Sequence, residues 1–399
     1  MEGIKTNKKV SIFSIILYMM VFFYGIKQIE LFNNNIIVNY LNQGVQAVGM
    51  FLLLYIIVSK KVSMKLFYRI IFCVIILMIG IFASQGFGWL RYFLLIVAAR
   101  NRKFSEIIKT IFYAFMSVMG ISVVLYLLRM SGNKIYRRNG ISLGFIHPNI
   151  AALIIITIIF LYIAKKNVMK TNQVFLVLIS AVLGFFVLKT RVTVIILLLF
   201  PIIYKVIVNS IKRKNQFVEK FLCIFQLLMC GISYLMTIIY PLPIYNKFRT
   251  PIDMALSYRP YLNFNNISKY GVSLFGNNVT IYNNTDYAFN YFKSMVSNQK
   301  FNTVDNAYIM QLITVGVVPM LLMFICFFMV MKKAWRNKNY TVLTISVCFS
   351  IYGLIENGCN EAYYFFTFFY LLAIDDVALK SENSVSDALQ NKNNVEAVM

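Results

Sequence analysis

Long apolar runs closed by short polar or basic connections dominate the chain. About twelve such runs can be read, near 10–26, 36–58, 66–83, 87–99, 107–128, 148–164, 173–188, 192–208, 220–240, 307–330, 340–357 and 362–378. Most continue for about 17–22 residues, the length that crosses a bilayer as a helix. They do not alternate over segments of about ten, as the strands of a membrane barrel would. Lipid requires each spanning segment to satisfy its own backbone N–H and C=O groups, which again selects helices. The fourth run is short and carries Arg91, so it is expected to be tilted, re-entrant or shielded by its neighbours. The pattern predicts an all-α, polytopic integral membrane bundle of about 12 transmembrane helices, one unit over 1–378 with no internal repeat. One large hydrophilic connection, about 241–306, interrupts it. Pro241, Pro243, Pro251 and Pro260 break the chain there, while its Phe, Tyr and Leu content predicts short helices rather than disorder. The polar tail over 379–399 is expected to be disordered.

Composition agrees with the pattern. At 60% hydrophobic and 13% charged residues, the chain has more apolar surface than a water-facing fold can hide. The first nine residues are basic and the next run apolar, but no small-residue cleavage site follows, which reads as an uncleaved first span. The six cysteines lie in or beside apolar runs without metal-type spacing and read as small core residues.

Charge orients the bundle. The formal net charge of +25 does not point to nucleic acid, because the cations sit in short clusters between spans. The clusters at Lys5/Lys8/Lys9, Lys60/Lys61/Lys65/Arg69, Arg100/Arg102/Lys103/Lys109, Lys165/Lys166/Lys170, Lys205/Lys212/Arg213/Lys214/Lys220 and Lys332/Lys333/Arg336/Lys338 fall on alternate connections. They hold 23 of the 39 basic residues. The positive-inside rule makes that side the cytoplasm and places both termini in it. The expected location is a cytoplasmic membrane.

The cations left on the opposite side then need a reason, and an anionic ligand is the simplest. Four groups gather there. The first is Arg137-Arg138-Asn139-Gly140 followed by Gly144-Phe145-Ile146-His147-Pro148-Asn149, which holds the single histidine; Pro148 and Asn149 serve equally well as an ordinary helix start. The second is Lys189-Thr190-Arg191, a tight turn whose cations suit a bound anion or lipid headgroups. The third is Tyr258-Arg259, with Leu274-Phe275-Gly276-Asn277 later in the loop; arginine pairs bidentately with phosphate, and aromatic faces stack on sugar rings. The fourth is Asp305-Asn306-Ala307-Tyr308 before Gly316, a helix cap or a well-placed general base. Glu356, Asn357, Asn360 and Glu361 add polar groups near the last connection.

At these residues the chain resembles the Wzy-type polysaccharide polymerases of the O-antigen ligase/polymerase superfamily. The likeness runs from about residue 130 to 375, carried by the order Arg138…Gly144-Phe145-Ile146-His147-Pro148-Asn149, Arg191, Tyr258-Arg259, Leu274-Phe275-Gly276, Asp305-Asn306-Ala307-Tyr308-Ile309 and Gly316. In the ligase branch the residue before the Asn of the last motif is commonly His, and Asp305 stands there here, which favours a polymerase. The resemblance implies transfer of a growing chain from undecaprenyl pyrophosphate to a new lipid-linked repeat unit, making capsular or exopolysaccharide outside the cytoplasmic membrane. It implies no cofactor and no metal. The implied partners are the undecaprenyl-pyrophosphate-linked oligosaccharide donor and acceptor and membrane lipids, with flippase and chain-length regulator proteins as further candidates. On this reading Arg191 and Arg259 hold the pyrophosphate, and Arg137, Arg138 and Lys189 assist. Asp305 leads His147 and Glu356 as general base, and Asn149, Tyr258 and Asn306 contact substrate. A lipid-linked oligosaccharide flippase or transporter is the rival class. Transporters usually carry related halves and midplane charges, unlike the single dominant loop here.

Overall fold

The computed structural model describes residues 11–59, 63–84, 88–131, 140–166, 168–243, 259–279, 304–357 and 363–376. Short polar side chains decide where many helices begin, because the first backbone N–H groups of a helix have no partner within it. Ser11 caps α1 (Ile12–Ile26), and Asn35 caps α3 (Ile36–Val58) after the short α2 (Glu30–Asn33). The chain continues through α4 (Met64–Ser84), α5 (Gly88–Ala98) and α6 (Phe104–Leu127). His147 then caps α7 (Pro148–Ala164), with Pro148 at the position that needs no donor. Next, α8 (Thr171–Leu183) widens into a π-turn over Gly184–Leu188 before α9 (Arg191–Lys212). Asn215 caps α10 (Gln216–Ile239). Beyond it come α11 (Arg259–Tyr270), α12 (Ala307–Thr314, capped by Asn306), α13 (Val317–Arg336) and α14 (Tyr340–Tyr352, capped by Asn339). A 3-10 helix over Phe366–Leu371 completes the series.

No strand occurs among the described residues, only two isolated bridges. Seven of the described helices are long and apolar enough to cross a membrane: α3, α4, α6, α8 with its π-turn, α9, α10 and α13. The chain is a helical membrane protein. The apolar helices α1, α5, α7 and α14 are shorter.

Three expected spans differ from their predicted form. The fourth is an 11-residue helix, α5. The run over 307–330 is split at Gly316, whose φ of +89° no ordinary helix residue adopts. The last run, where described, forms the six-residue 3-10 helix and turns. That run is rich in Phe and Tyr, and the rings dictate its path. Phe368 packs edge-on to Tyr92, Phe365 lies against Phe349, and Tyr370 meets Phe104. Hydrophobic periodicity reports that such a run is buried, but does not separate an α-helix from a tighter coil wedged between neighbours.

The centre of the bundle is α14. Every residue over 341–350 is buried, against α7, α9, α10, α13 and the 3-10 helix. Its polar side chains are satisfied internally: Thr344 Oγ1 donates to the Tyr340 carbonyl and Ser350 Oγ to that of Ser346. Phe349 meets Phe160 of α7, which in turn stacks on Phe200 of α9 at 4.8 Å. With 13 residues, α14 is only about 20 Å long against a hydrocarbon core of about 30 Å.

A shortened last segment leaves carbonyls that lipid would not satisfy. Lys333 of α13 donates from Nζ to the carbonyls of Tyr370 at 2.7 Å, Ala373 at 2.6 Å and Leu371 at 3.3 Å. Asp375 binds the Tyr370 hydroxyl and the amides of Asn337 and Asn339, and Asp376 accepts from the backbone and hydroxyl of Ser105. Replacing Lys333 with Met keeps the length and removes all three donors. Hydrogen bonds to a charged group contribute about 1.5–3 kcal/mol each, so a clear fall in melting temperature in detergent is expected for Lys333→Met. Half-buried Lys332→Met, which gives up only a contact with the Phe328 ring, should fall far less when measured beside it.

Candidate functional site

Four segments far apart in sequence end at one place. Arg259 is the first residue of α11, Asp305 precedes the cap of α12, Glu356 follows α14, and Asn149 lies in the first turn of α7. Arg259 donates from Nη2 to Glu356 Oε1 at 2.9 Å, and Asn149 Nδ2 donates to the same oxygen at 3.0 Å. Arg259 Nε also lies 3.6 Å from Asp305 Oδ2, an ion pair too long for a direct hydrogen bond. The Arg259 and Glu356 side chains are each 15% exposed and Asp305 37%. A guanidinium with so little water around it needs a fixed anionic partner, and Glu356 supplies one. Asp305 is the more accessible of the two carboxylates and the more weakly held by Arg259.

Backbone contacts make this meeting place. The Ala307 N–H donates to the Gly353 carbonyl at 2.8 Å, and Asn357 Nδ2 to the Val304 carbonyl at 2.6 Å, which ties the start of α12 to the end of α14. Asn306 accepts the Tyr308 and Ile309 N–H groups and donates to Ser233 of α10 and to the Leu354 carbonyl. It is buried and saturated by these bonds, which fix the backbone that carries Asp305.

His147 also turns out to be a cap. Its Nδ1 accepts the Asn149 N–H at 3.1 Å, which fixes the neutral tautomer with the proton on Nε2. Burial lowers its pKa to about 4, so near neutral pH it is an uncharged acceptor and a poor proton store.

Lys189 and Arg191 occupy a separate turn. Both are exposed, and neither makes an ion pair or a side-chain hydrogen bond among the described residues. Lys189 is left-handed at φ +53°, where the π-turn hands over to α9. Thr190 is the N-cap of α9 but does not cap it: its hydroxyl is buried, and no hydrogen-bond partner meets it among the described residues. This turn lies beside the α7 end of the bundle. A Cβ on Gly140 would stand 2.4 Å from the Leu188 carbonyl and 3.5 Å from Pro148 Cγ, and the Ile141 N–H donates to the Val187 carbonyl. Arg137, Arg138 and Tyr258 lie outside the described residues.

The structure therefore brings Asn149, Arg259, Asp305 and Glu356 together, makes caps of His147 and Asn306, and sets Lys189 and Arg191 in a neighbouring turn. Ser233, which holds Asn306, escapes a sequence reading because a lone serine within an apolar helix carries no signal until its partner is known.

The histidine gives a pH test. Its folded-state pKa is depressed, so the unfolded chain binds more protons between about pH 4 and 6.5, and stability rises with pH across that window. The contribution is fully present above about pH 6.5 and is lost as pH falls toward 4. His147→Asn retains a capping oxygen without a titrating group. Its melting temperature should lose the part of the pH dependence confined to that window, seen as a flatter profile from pH 7 to 5 beside the parent protein. No protein-family model, no curated protein and no solved structure matches this chain.

Proposed function

We propose that this chain is a membrane glycosyltransferase that polymerises oligosaccharide repeat units carried on a polyprenyl pyrophosphate, at the outer face of a bacterial cytoplasmic membrane. In this reading the chain crosses the membrane twelve times, with α5, α14 and the 3-10 segment as short crossings and both termini in the cytoplasm. The observation that carries it is the meeting of Asn149, Arg259, Asp305 and Glu356 from four separate segments. All four belong to the polar groups that the charge bias assigns to the non-cytoplasmic side, and Asn149, Arg259 and Asp305 lie in the polymerase-like motifs.

The geometry refines the roles. Arg259 is engaged by Glu356 and Asp305, so its work is to orient the carboxylates. Lys189 and Arg191, with no carboxylate partner among the described residues, stand at the start of α9 and are the better holders of the pyrophosphate, where the helix dipole adds positive potential. Asp305 takes the proton of the acceptor hydroxyl as its oxygen attacks the anomeric carbon. The new glycosidic C–O bond forms as the bond to the pyrophosphate breaks, and its electron pair leaves with the lipid pyrophosphate. Attack opposite the leaving group inverts the anomeric centre. No metal is assigned, because arginine and lysine suffice to meet the developing charge.

Deleting the gene and analysing the lipid-linked sugars tests this. Single repeat units should accumulate at the outer face, and wild type should restore long chains. Asp305→Asn and Arg191→Ala should each lower the polymerisation rate by about 100-fold or more, the usual effect of removing one organised catalytic group. Repeat units held at the cytoplasmic face would instead identify a flippase.

A further inference from the structure

The break between α12 and α13 is occupied. Residues 273–277, the tail of the segment that follows α11, fill it with their backbone. The Val317 and Val318 N–H groups, the first of α13, donate to the carbonyls of Ser273 at 3.1 Å and Leu274 at 2.9 Å. The Asn277 N–H donates to the Ile313 carbonyl at 2.9 Å, near the end of α12. Each helix end left bare by the break is thus bonded by the inserted segment, as an apolar interior demands.

Two glycines permit it. Gly276 has φ +87° and Gly316 φ +89°, and they face each other backbone to backbone. A Cβ on Gly276 would stand 2.2 Å from the Thr314 carbonyl oxygen, and one on Gly316 2.2 Å from the Gly276 nitrogen. No rotamer change relieves such contacts, since backbone lies on both sides. Asn277 then reaches back with Nδ2 to the carbonyls of Tyr270 at 3.1 Å and Gly271 at 3.3 Å, at the close of α11.

These bonds join α11 and α12 at the ends remote from the charged cluster. Arg259 starts α11, whose 12 residues extend about 18 Å, and Asp305 lies two residues before α12, whose eight extend about 12 Å. Between the cluster and the break, Ile267 and Tyr270 of α11 pack against Ile309 and Ile313 of α12. The two helices are the arms of a clamp, with the Gly276–Gly316 contact as its closed end and the Arg259–Asp305 pair at its jaws.

We infer that Gly276, Gly316 and Asn277 are positioning residues, which hold Arg259 in register with Asp305 through the lever of α11 and α12. The clamp itself rests on the geometry alone; its effect on turnover rests on the glycosyltransferase reading above. With the six native cysteines replaced by alanine, spin labels at Asn265→Cys on α11 and Leu235→Cys on α10 report how α11 sits against α10, the helix on which α12 also packs. Asn277→Ala removes the two side-chain bonds without touching the glycine backbones, and Gly276→Ala inserts a methyl group into the contact.

Both variants should broaden the label distribution, and both should lower polymerisation turnover by about 100-fold, as expected for misplacement of catalytic groups by about 1 Å, with little change in KM. An oxidised Ile267→Cys/Ile313→Cys pair, joining the arms directly, should restore turnover in Asn277→Ala. Unchanged distributions in both variants would overturn the clamp, as would broadened distributions with parental turnover overturn its positioning role. Broadening in a protein whose parent forms no polymer would uphold the clamp and refute the glycosyltransferase reading. Should Gly276→Ala fail to fold, Asn277→Ala decides alone.

Discussion

In a chain this apolar a helix can stop only where something else bonds the backbone groups it releases. The architecture follows from how those stops are met. At the foot of the bundle, Lys333 gathers the carbonyls at the end of the 3-10 segment. At the α12–α13 break, an extended segment from the loop supplies both donor and acceptors. After α14, the Gly353 carbonyl is taken by the start of α12. The last of these stops lies beside the charged cluster, because a helix that ends early both opens room and leaves polar atoms to organise it.

Electrostatics sorts the arginines that sequence alone treats alike. Arg259 is drawn inward, where only paired charge is stable, and Glu356 and Asp305 meet it there. Arg191 stays exposed at a helix start with Lys189 beside it. A guanidinium already engaged by carboxylates holds and aims them, while an uncompensated cation at a helix N-terminus draws an anion. The same reasoning moves His147 from candidate base to cap, since burial keeps it neutral and its acceptor nitrogen is spent on Asn149.

The helical membrane class was legible in the sequence because run length and apolarity are local quantities, and so was the start of α7, marked by Pro148. Asn149, Arg259, Asp305 and Glu356 were each visible as polar groups out of keeping with their surroundings. What stayed hidden was the pairing among them. Arg259 and Glu356 are separated by 97 positions and Asn149 and Glu356 by 207, and no local pattern encodes such contacts. The break at Gly316 was hidden too, since the apolar run over 307–330 is unbroken and glycine is tolerated within membrane helices.

By itself the sequence determined that the chain would fold as apolar helices in lipid, on which connections its charge would lie, and which residues were too polar for their place. The tertiary structure decided which of those residues meet. Hydrophobic burial is indifferent to direction and sets only what goes inside. Hydrogen bonds and ion pairs are directional and short-ranged, so their partners exist only once α7, α11, α12 and α14 have packed to bring them within reach.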